Sequence, residues 1–210
     1  MAKVAVILAG CGVYDGAEIN EAVLTLLHLA KAGAQEQCFA PDQEQFHTIN
    51  HMTGEEMPET RNIMVEASRI TRGDIEPLTA LNADEFDALI VPGGFGAAKN
   101  LCDFAIKGTD ATINNAISSK PAGYMCIAPA MIPMVYGADA KVQVTIGNDA
   151  DTAAAITQLG SVHVACAVDD IVIDNTHKVV TTPAYMLASN LVEADAGIGK
   201  LVAATLALIE

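Results

Sequence analysis

The stretch Pro121-Ala-Gly-Tyr-Met-Cys126-Ile-Ala-Pro-Ala-Met131 reads as a short apolar strand running straight into a helix, with one cysteine at the corner. A side chain at such a corner stands at the top of a sheet, and the first backbone N–H groups of the helix point toward it. Those groups favour negative charge, and a helix N-terminus is one of the settings that lowers a thiol below its usual value of about 8.5. Cys126 is therefore a candidate nucleophile. A free cysteine also behaves as a small hydrophobe and is among the most buried residue types, so the same window reads equally as a structural thiol.

Working outward from this corner, residues 86–91 form a strongly apolar run stopped by Pro92-Gly-Gly-Phe-Gly96, with a helix expected over 97–106. Near the start, residues 3–9 read as a strand that ends in Gly10-Cys-Gly-Val-Tyr-Asp-Gly16. A helical pattern over 17–31, with Gly33 as its stop, and a second strand over 34–40 follow. Residues 43–77 are irregular and polar, with one helix-like run over 59–70, and read as an insertion. A short helix is expected over 110–119. Past the cysteine corner come a strand at 141–146, a helix at 151–159 stopped by Gly160, and strands at 162–165, 170–173 and 178–182. The last two are joined by the turn Asp174-Asn-Thr-His177. Thr182-Pro183 has the chemistry of a helix start, and a final helix is expected from there to residue 208, with a break at Gly197. Strands and helices alternate for most of the length. That pattern predicts parallel strands joined by right-handed crossovers, with a site outside their carboxyl ends.

Composition agrees. Half of the residues are apolar (51%) but only 4% are aromatic, so the core is built from aliphatic side chains, as expected of helices packed on a parallel sheet. The length of 210 residues fits one domain spanning 1–210. Eleven basic against 26 acidic residues leave a net charge of −15. Such a surface repels phosphate backbones and anionic lipid, so nucleic-acid and membrane partners are not expected. The apolar run at the N-terminus is too short to span a bilayer and leads into a glycine loop, so it reads as a first strand, not a signal peptide. The cysteines at 11, 38, 102, 126 and 166 are odd in number and contain no Cys-x-x-Cys pair. Neither a disulfide framework nor a metal site is suggested, and a reducing cytoplasmic setting is expected.

Three loops converge at the carboxyl end of such a sheet: 10–16, 92–96 and 126–127. The glycines at 93 and 94 let backbone N–H groups approach a bound atom. With the N–H of Ile127, that of Gly94 could form an oxyanion hole beside the sulfur. The plainer reading is a tight turn before a helix. Glu18 is the candidate acid or base, although Asp15-Gly-Ala-Glu18 also has capping-box spacing. Glu21, one turn on, is expected on the solvated side. Gly10-Cys-Gly12 resembles a dinucleotide fingerprint, but the spacing is one residue too long and the acidic residue expected after the second strand is replaced by Ala40-Pro41. No cofactor is expected. None of the five histidines has metal-ligand spacing with another histidine or cysteine.

Five blocks in order closely resemble the ElbB-type glyoxalases, also described as sigma cross-reacting or isoprenoid-biosynthesis proteins. These belong to the class I glutamine amidotransferase-like, PfpI/DJ-type superfamily. The blocks are residues 10–16 with Glu18, Val-Pro-Gly-Gly-Phe-Gly-Ala-Ala-Lys-Asn at 91–100, Met-Cys-Ile-Ala-Pro-Ala-Met at 125–131, Val-Asp-Asp-Ile at 168–171 and Val-Thr-Thr-Pro-Ala-Tyr-Met-Leu-Ala at 180–188. The resemblance implies a flavodoxin-like three-layer α/β sandwich, a nucleophile at Cys126 and a glutamate at Glu18 touching that sulfur. It further implies a pocket lined by Gly10, Cys11, Gly12, Gly93, Thr182 and Pro183, and a homodimer. The implied activity converts a small aldehyde, glyoxal, to a hydroxy acid without a thiol cofactor, with deglycation as a related outcome. Amidotransferase and peptidase relatives carry a histidine that activates the cysteine, often directly after it. Here that position is Ile127, which argues against proteolysis and glutamine hydrolysis. A second departure is the abbreviated helix over 114–120, just before the strand that carries Cys126. The alternative class is a redox-sensing or binding module that uses the same cysteine without turnover.

Overall fold

Strand β1 (Lys3–Ile7) is apolar at nearly every position because both of its faces are covered. Val4, Val6 and Leu8 point into one buried cluster, and Ala5, Ile7 and Ala9 into the other. A strand buried on both sides has no polar face to alternate with, and this makes it readable as a continuous run. The computed structural model describes residues 1–108 and 120–209. The short helix expected over 110–119 lies outside the described residues, as does all but Lys120 of the abbreviated run at 114–120.

In chain order β1 leads to α1 (Ile19–Lys31), β2 (Gln35–Ala40), β3 (Thr48–Ile49), β4 (Glu56–Met57), α2 (Ile63–Thr71), β5 (Glu76–Pro77) and β6 (Ala88–Val91). There follow α3 (Phe104–Lys107), β7 (Ala122–Met125), α4 (Ile132–Tyr136), β8 (Gln143–Val144), α5 (Ala150–Leu159), β9 (Val162–His163), β10 (Val172–Asp174), β11 (Val179–Thr182) and α6 (Leu191–Ala207). Seven strands form the central sheet in the order β10-β11-β7-β6-β1-β2-β5. Every neighbouring pair is parallel except β10 with β11. Helices α1, α2 and α6 cover one face through Ala22, Leu29, Ile63, Ala67, Ile198 and Leu201. Ile132 of α4, Ile156 of α5 and the turn at Ala97–Leu101 cover the other. This is the flavodoxin-like sandwich expected from the sequence. The insertion becomes the small β3–β4 hairpin plus α2, and it delivers β5 to the edge of the sheet.

From β1 the chain first builds outward through β2 and β5, then returns to build β6, β7 and β11 on the other side. The order therefore reverses between β1 and β6, and a crevice opens at their carboxyl ends. The loops at 10–16 and 92–96 leave the sheet there.

Several helices differ from expectation. The helix expected over 97–106 is broken at Cys102, whose backbone is extended, so that a tight turn at Ala97–Leu101 is followed by the short α3; the run expected over 59–70 begins only at Ile63, capped by Asn62. The last helix starts at Asn190, whose Oδ1 accepts the N–H groups of Val192 and Glu193 at 3.0 and 3.1 Å. Thr182-Pro183 leads instead into one tight turn at Ala184–Met186. Gly197 does not break α6. It sits buried against the preceding loop, where an added Cβ would lie 2.7 Å from the Val168 carbonyl oxygen and 2.8 Å from Thr182 Oγ1. The glycine there permits close packing.

Candidate active site

Cys126 follows β7 with φ of 59°, in the left-handed region that costs a residue with a side chain about 1–2 kcal/mol. Its N–H donates to the Thr182 carbonyl at 3.1 Å, which continues the β7–β11 pairing through the bend. The chain then turns into a tight 3₁₀ segment at Ala128–Met131, with Pro129 in its first turn, before α4. Strand, strained corner and helical turn together push the thiol to the top of the sheet. The N–H groups of Gly94 and Ile127, the two chosen from the sequence, both donate toward the sulfur.

The carboxyl group that meets the sulfur belongs to Glu21, not Glu18. Glu18 is the N-cap of α1, and one of its oxygens accepts the N–H of Glu21 at 2.7 Å. Its own N–H donates to the Gly93 carbonyl at 2.9 Å. Glu21 is fully buried one turn into the helix and is a hydrogen-bonding partner of the Cys126 thiol. One Glu21 oxygen accepts the N–H of Gly93 at 2.8 Å and the other accepts that of Tyr185 at 3.1 Å. The reason is helical geometry. A cap residue points back across the helix end, whereas Glu21 shares the buried face with Ala22, Thr25 and Leu29. Gly93 makes the meeting possible, since a Cβ there would stand 2.4 Å from Cys126 Cβ and 2.8 Å from Glu21 Oε2.

Burial, and next the charge of Glu18, push the Glu21 carboxyl up to about 8, so it carries its proton at neutral pH. Burial and the Glu21 charge push the Cys126 thiol well above its ordinary value. Two such groups in contact do not both ionise, and the pair holds at most one negative charge near neutrality. By these shifts the resting pair at neutral pH is a thiol beside a carboxylic acid, and a thiolate formed there would be held by the two backbone N–H groups and the carboxylic O–H.

Above the sulfur lies a cavity of about 320 Å³, walled by Val13, Gly94, Phe95, Ile127, Asp149, Thr152, Tyr185 and Met186. The structure thus joins Cys126, Gly94 and Ile127 at one cavity and sets Gly93 directly beneath. Gly10, Cys11, Gly12, Thr182 and Pro183 are not among its walls. Thr182 anchors the corner from behind, its hydroxyl donating to the Asp170 carbonyl at 2.8 Å. Cys11 lies near Glu66, Arg69 and Asp15. Asp149, Thr152 and Tyr185 were missed because tertiary packing alone brings the start of α5 and the turn before α6 to this mouth. No histidine lines the cavity. His28 pairs with Asp195, His177 with Asp174, and His163 accepts the N–H of Ile146. Among the described residues no group of three histidine, cysteine or acidic side chains is placed to hold a metal ion, and no helix is long and apolar enough to cross a membrane.

No protein-family model matches the chain. It is 42% identical over 226 residues to the Rattus norvegicus ES1 protein homolog, mitochondrial, covering 99% of this chain and 84% of the relative. To the human (Homo sapiens) glutamine amidotransferase-like class 1 domain-containing protein 3, mitochondrial, it is 43% identical over 226 residues, covering 99% and 83%. Among solved structures it is similar to an isoprenoid biosynthesis protein with amidotransferase-like domain from Ehrlichia chaffeensis, at 35% identity and a TM-score of 0.87, covering 98% of this chain and 99% of that one. A DJ-1 superfamily protein from Salmonella typhimurium shares the fold at 20% identity and a TM-score of 0.55, covering 99% and 91%. The cytoplasmic setting expected from the cysteines does not hold against these relatives, both of which are named as mitochondrial. Unpaired thiols argue only against an oxidising compartment, and they do not single out the cytosol.

Proposed function

The chain belongs to the ES1, glutamine amidotransferase-like class 1 family within the PfpI/DJ-type superfamily, and from that premise we propose a cofactor-independent glyoxalase-type lyase acting on small 2-oxoaldehydes. The superfamily includes enzymes. The observation that carries the proposal is the buried Glu21 carboxyl set against the Cys126 sulfur at the floor of a cavity with no imidazole in its walls.

Once the Cys126 proton has passed to solvent, the thiolate adds to the aldehyde carbon of glyoxal, and the new oxyanion takes the Glu21 proton to give a hemithioacetal. Gly94 and Ile127 donate to that oxygen as its charge develops. Glu21, now a carboxylate, removes the hydrogen on the attacked carbon and returns it to the neighbouring carbon through an enediol. The product is a thioester of Cys126, and water hydrolyses it to glycolate and the free thiol. One aldehyde carbon is oxidised and its neighbour reduced, so no external electron carrier enters. An acyl transfer from glutamine needs a group to protonate the leaving amine, and Ile127 stands where an imidazole would serve.

Glycolate formation from glyoxal by the purified chain, in the absence of glutathione, is the direct test. Saturable turnover that is lost in Cys126→Ala is expected. No turnover at millimolar glyoxal would overturn the proposal, as would steady release of ammonia from glutamine.

A further inference from the structure

Beside the catalytic cavity lies a second one, of about 500 Å³, whose walls include Tyr14, His47, Ile49, Phe95 and Lys99. Phe95 lines both cavities. Val13 and Tyr14, consecutive in the chain, line one each, so the two spaces are neighbours on either side of that ring. The outer wall comes from the polar insertion, through His47 and the β3–β4 hairpin.

Among the described residues, Lys99 is the one basic side chain other than histidine in these walls. Its Nζ donates to the Tyr14 carbonyl at 3.1 Å, lies 2.9 Å from His47 Nε2 and sits 5.1 Å from the Phe95 ring centre. An ammonium has only donors, so His47 must accept at Nε2 and carry its proton on Nδ1, which is 4.0 Å from Glu56. The imidazole is then neutral, in keeping with the downward push of burial and of the Lys99 charge. Two of the three ammonium protons are thus engaged, and the third has no hydrogen-bond acceptor among the described residues, with only the Phe95 ring face near the ammonium. Asp15, the buried carboxylate nearby, is already held by the Ile49 N–H at 2.7 Å, with His51 3.9 Å away. The arrangement leaves a fixed cation facing a cavity in a chain of net charge −15.

We propose that Lys99 binds the charged end of the substrate: a 2-oxoaldehyde with a terminal carboxylate, whose aldehyde end passes Phe95 to reach Cys126. The proposal rests on the glyoxalase reading and names its substrate class. A single available donor beside Asp15 and Glu56 suits a monoanion better than a phosphate dianion. The reaction balances as before, with one water consumed, the aldehyde carbon oxidised to the acid and the adjacent ketone reduced to the alcohol.

The probe is 4,5-dioxopentanoate, compared with methylglyoxal as its uncharged counterpart. The ratio of kcat/KM for the charged over the uncharged aldehyde should fall by at least about tenfold in Lys99→Met and recover in Lys99→Arg. An unchanged ratio in Lys99→Met overturns the proposal. A second measurement needs no turnover: glutarate should slow alkylation of Cys126 by iodoacetamide in a saturable way in the native chain and not in Lys99→Met. Lys99-dependent protection with neither aldehyde consumed would support the subsite and overturn the glyoxalase reading. Methylglyoxal turnover with no protection by glutarate and no charge preference would overturn the subsite alone.

Discussion

Replacing Glu21 by glutamine separates its structural and chemical roles. The amide keeps the shape of the side chain and one carbonyl oxygen, so it can accept either the Gly93 or the Tyr185 N–H, but not both. One buried N–H then loses its acceptor, at about 1–3 kcal/mol. Titration acts in the opposite direction. In the folded chain Glu21 holds its proton to about 8, against 4.5 ordinarily, so its stabilising contribution is full below about pH 4.5 and is lost as pH rises to about 8. That interval of about 3.5 pH units, at about 1.4 kcal/mol per unit, amounts to on the order of 5 kcal/mol. Glutamine has nothing to titrate. Glu21→Gln should therefore be less stable than the native chain at pH 5 and more stable at pH 8, with the two curves crossing between. Urea denaturation at half-unit steps from pH 5 to 8 reads this directly, and ionisation of unfolded cysteines, which begins at about pH 8, is common to both proteins. Glyoxal turnover by the same variant should fall by at least about 10²-fold, the usual worth of a positioned acid or base. Glu18→Gln is the control. As a helix cap it should cost about 1 kcal/mol or less and retain most of the activity. Parallel stability curves for Glu21→Gln and the native chain, or a larger loss of turnover from Glu18→Gln than from Glu21→Gln, would refute the assignment.

Brief treatment with iodoacetamide near pH 7 should label Cys126 first. Burial raises all five thiols, Cys126 included, so the expectation rests on geometry: of the five, Cys126 has two N–H groups and a carboxyl aimed at its sulfur and a cavity above it. Peptide mapping that found Cys11 or Cys166 labelled faster would move the nucleophile elsewhere. Gly93→Ala should drive the new methyl into Cys126 and Glu21, lowering the unfolding free energy by about 1–3 kcal/mol and abolishing turnover. A fully active Gly93→Ala chain would mean that the carboxyl and the thiol need not touch.

The sheet was legible because β1, β6 and β7 are buried on both faces and leave unbroken apolar runs between glycine or proline stops. The corner at Cys126 was legible for the same reason: the run ends, one cysteine follows, and proline opens the next turn. Glu21 was not. The spacing from Asp15 to Glu18 matches a helix cap, and Glu18 does cap α1, but the resemblance placed the contact with the sulfur on the same residue. Helical periodicity held the missing signal, since Glu21, Ala22, Thr25 and Leu29 form one face, and a carboxylate on a buried face must meet a partner. The start of α6 was misplaced because Thr182-Pro183 and Ser189-Asn190 both carry cap chemistry, and only packing of the turn between them decides which is used. The walls contributed by Asp149, Tyr185 and Met186 are far from Cys126 in sequence, and no local pattern points to them.

The stretch 10–18 and the turn at 92–96 are tied by main-chain bonds: Glu18 N–H to the Gly93 carbonyl, Phe95 N–H to that of Val13 and Gly96 N–H to that of Gly16, at 2.8–2.9 Å. The floor of the site is therefore a backbone object, with no slack for a side chain at Gly93, while the walls at Val13, Phe95, Thr152 and Met186 are ordinary side chains facing open space. Heritable change acts differently on the two. Substitution can reshape the walls one residue at a time and leave the reacting atoms in place, whereas the floor tolerates little short of moving two loops together. Sequences built on this floor are free to diverge in what they admit long before they diverge in what they do to it, and a library aimed at new substrates belongs at the walls.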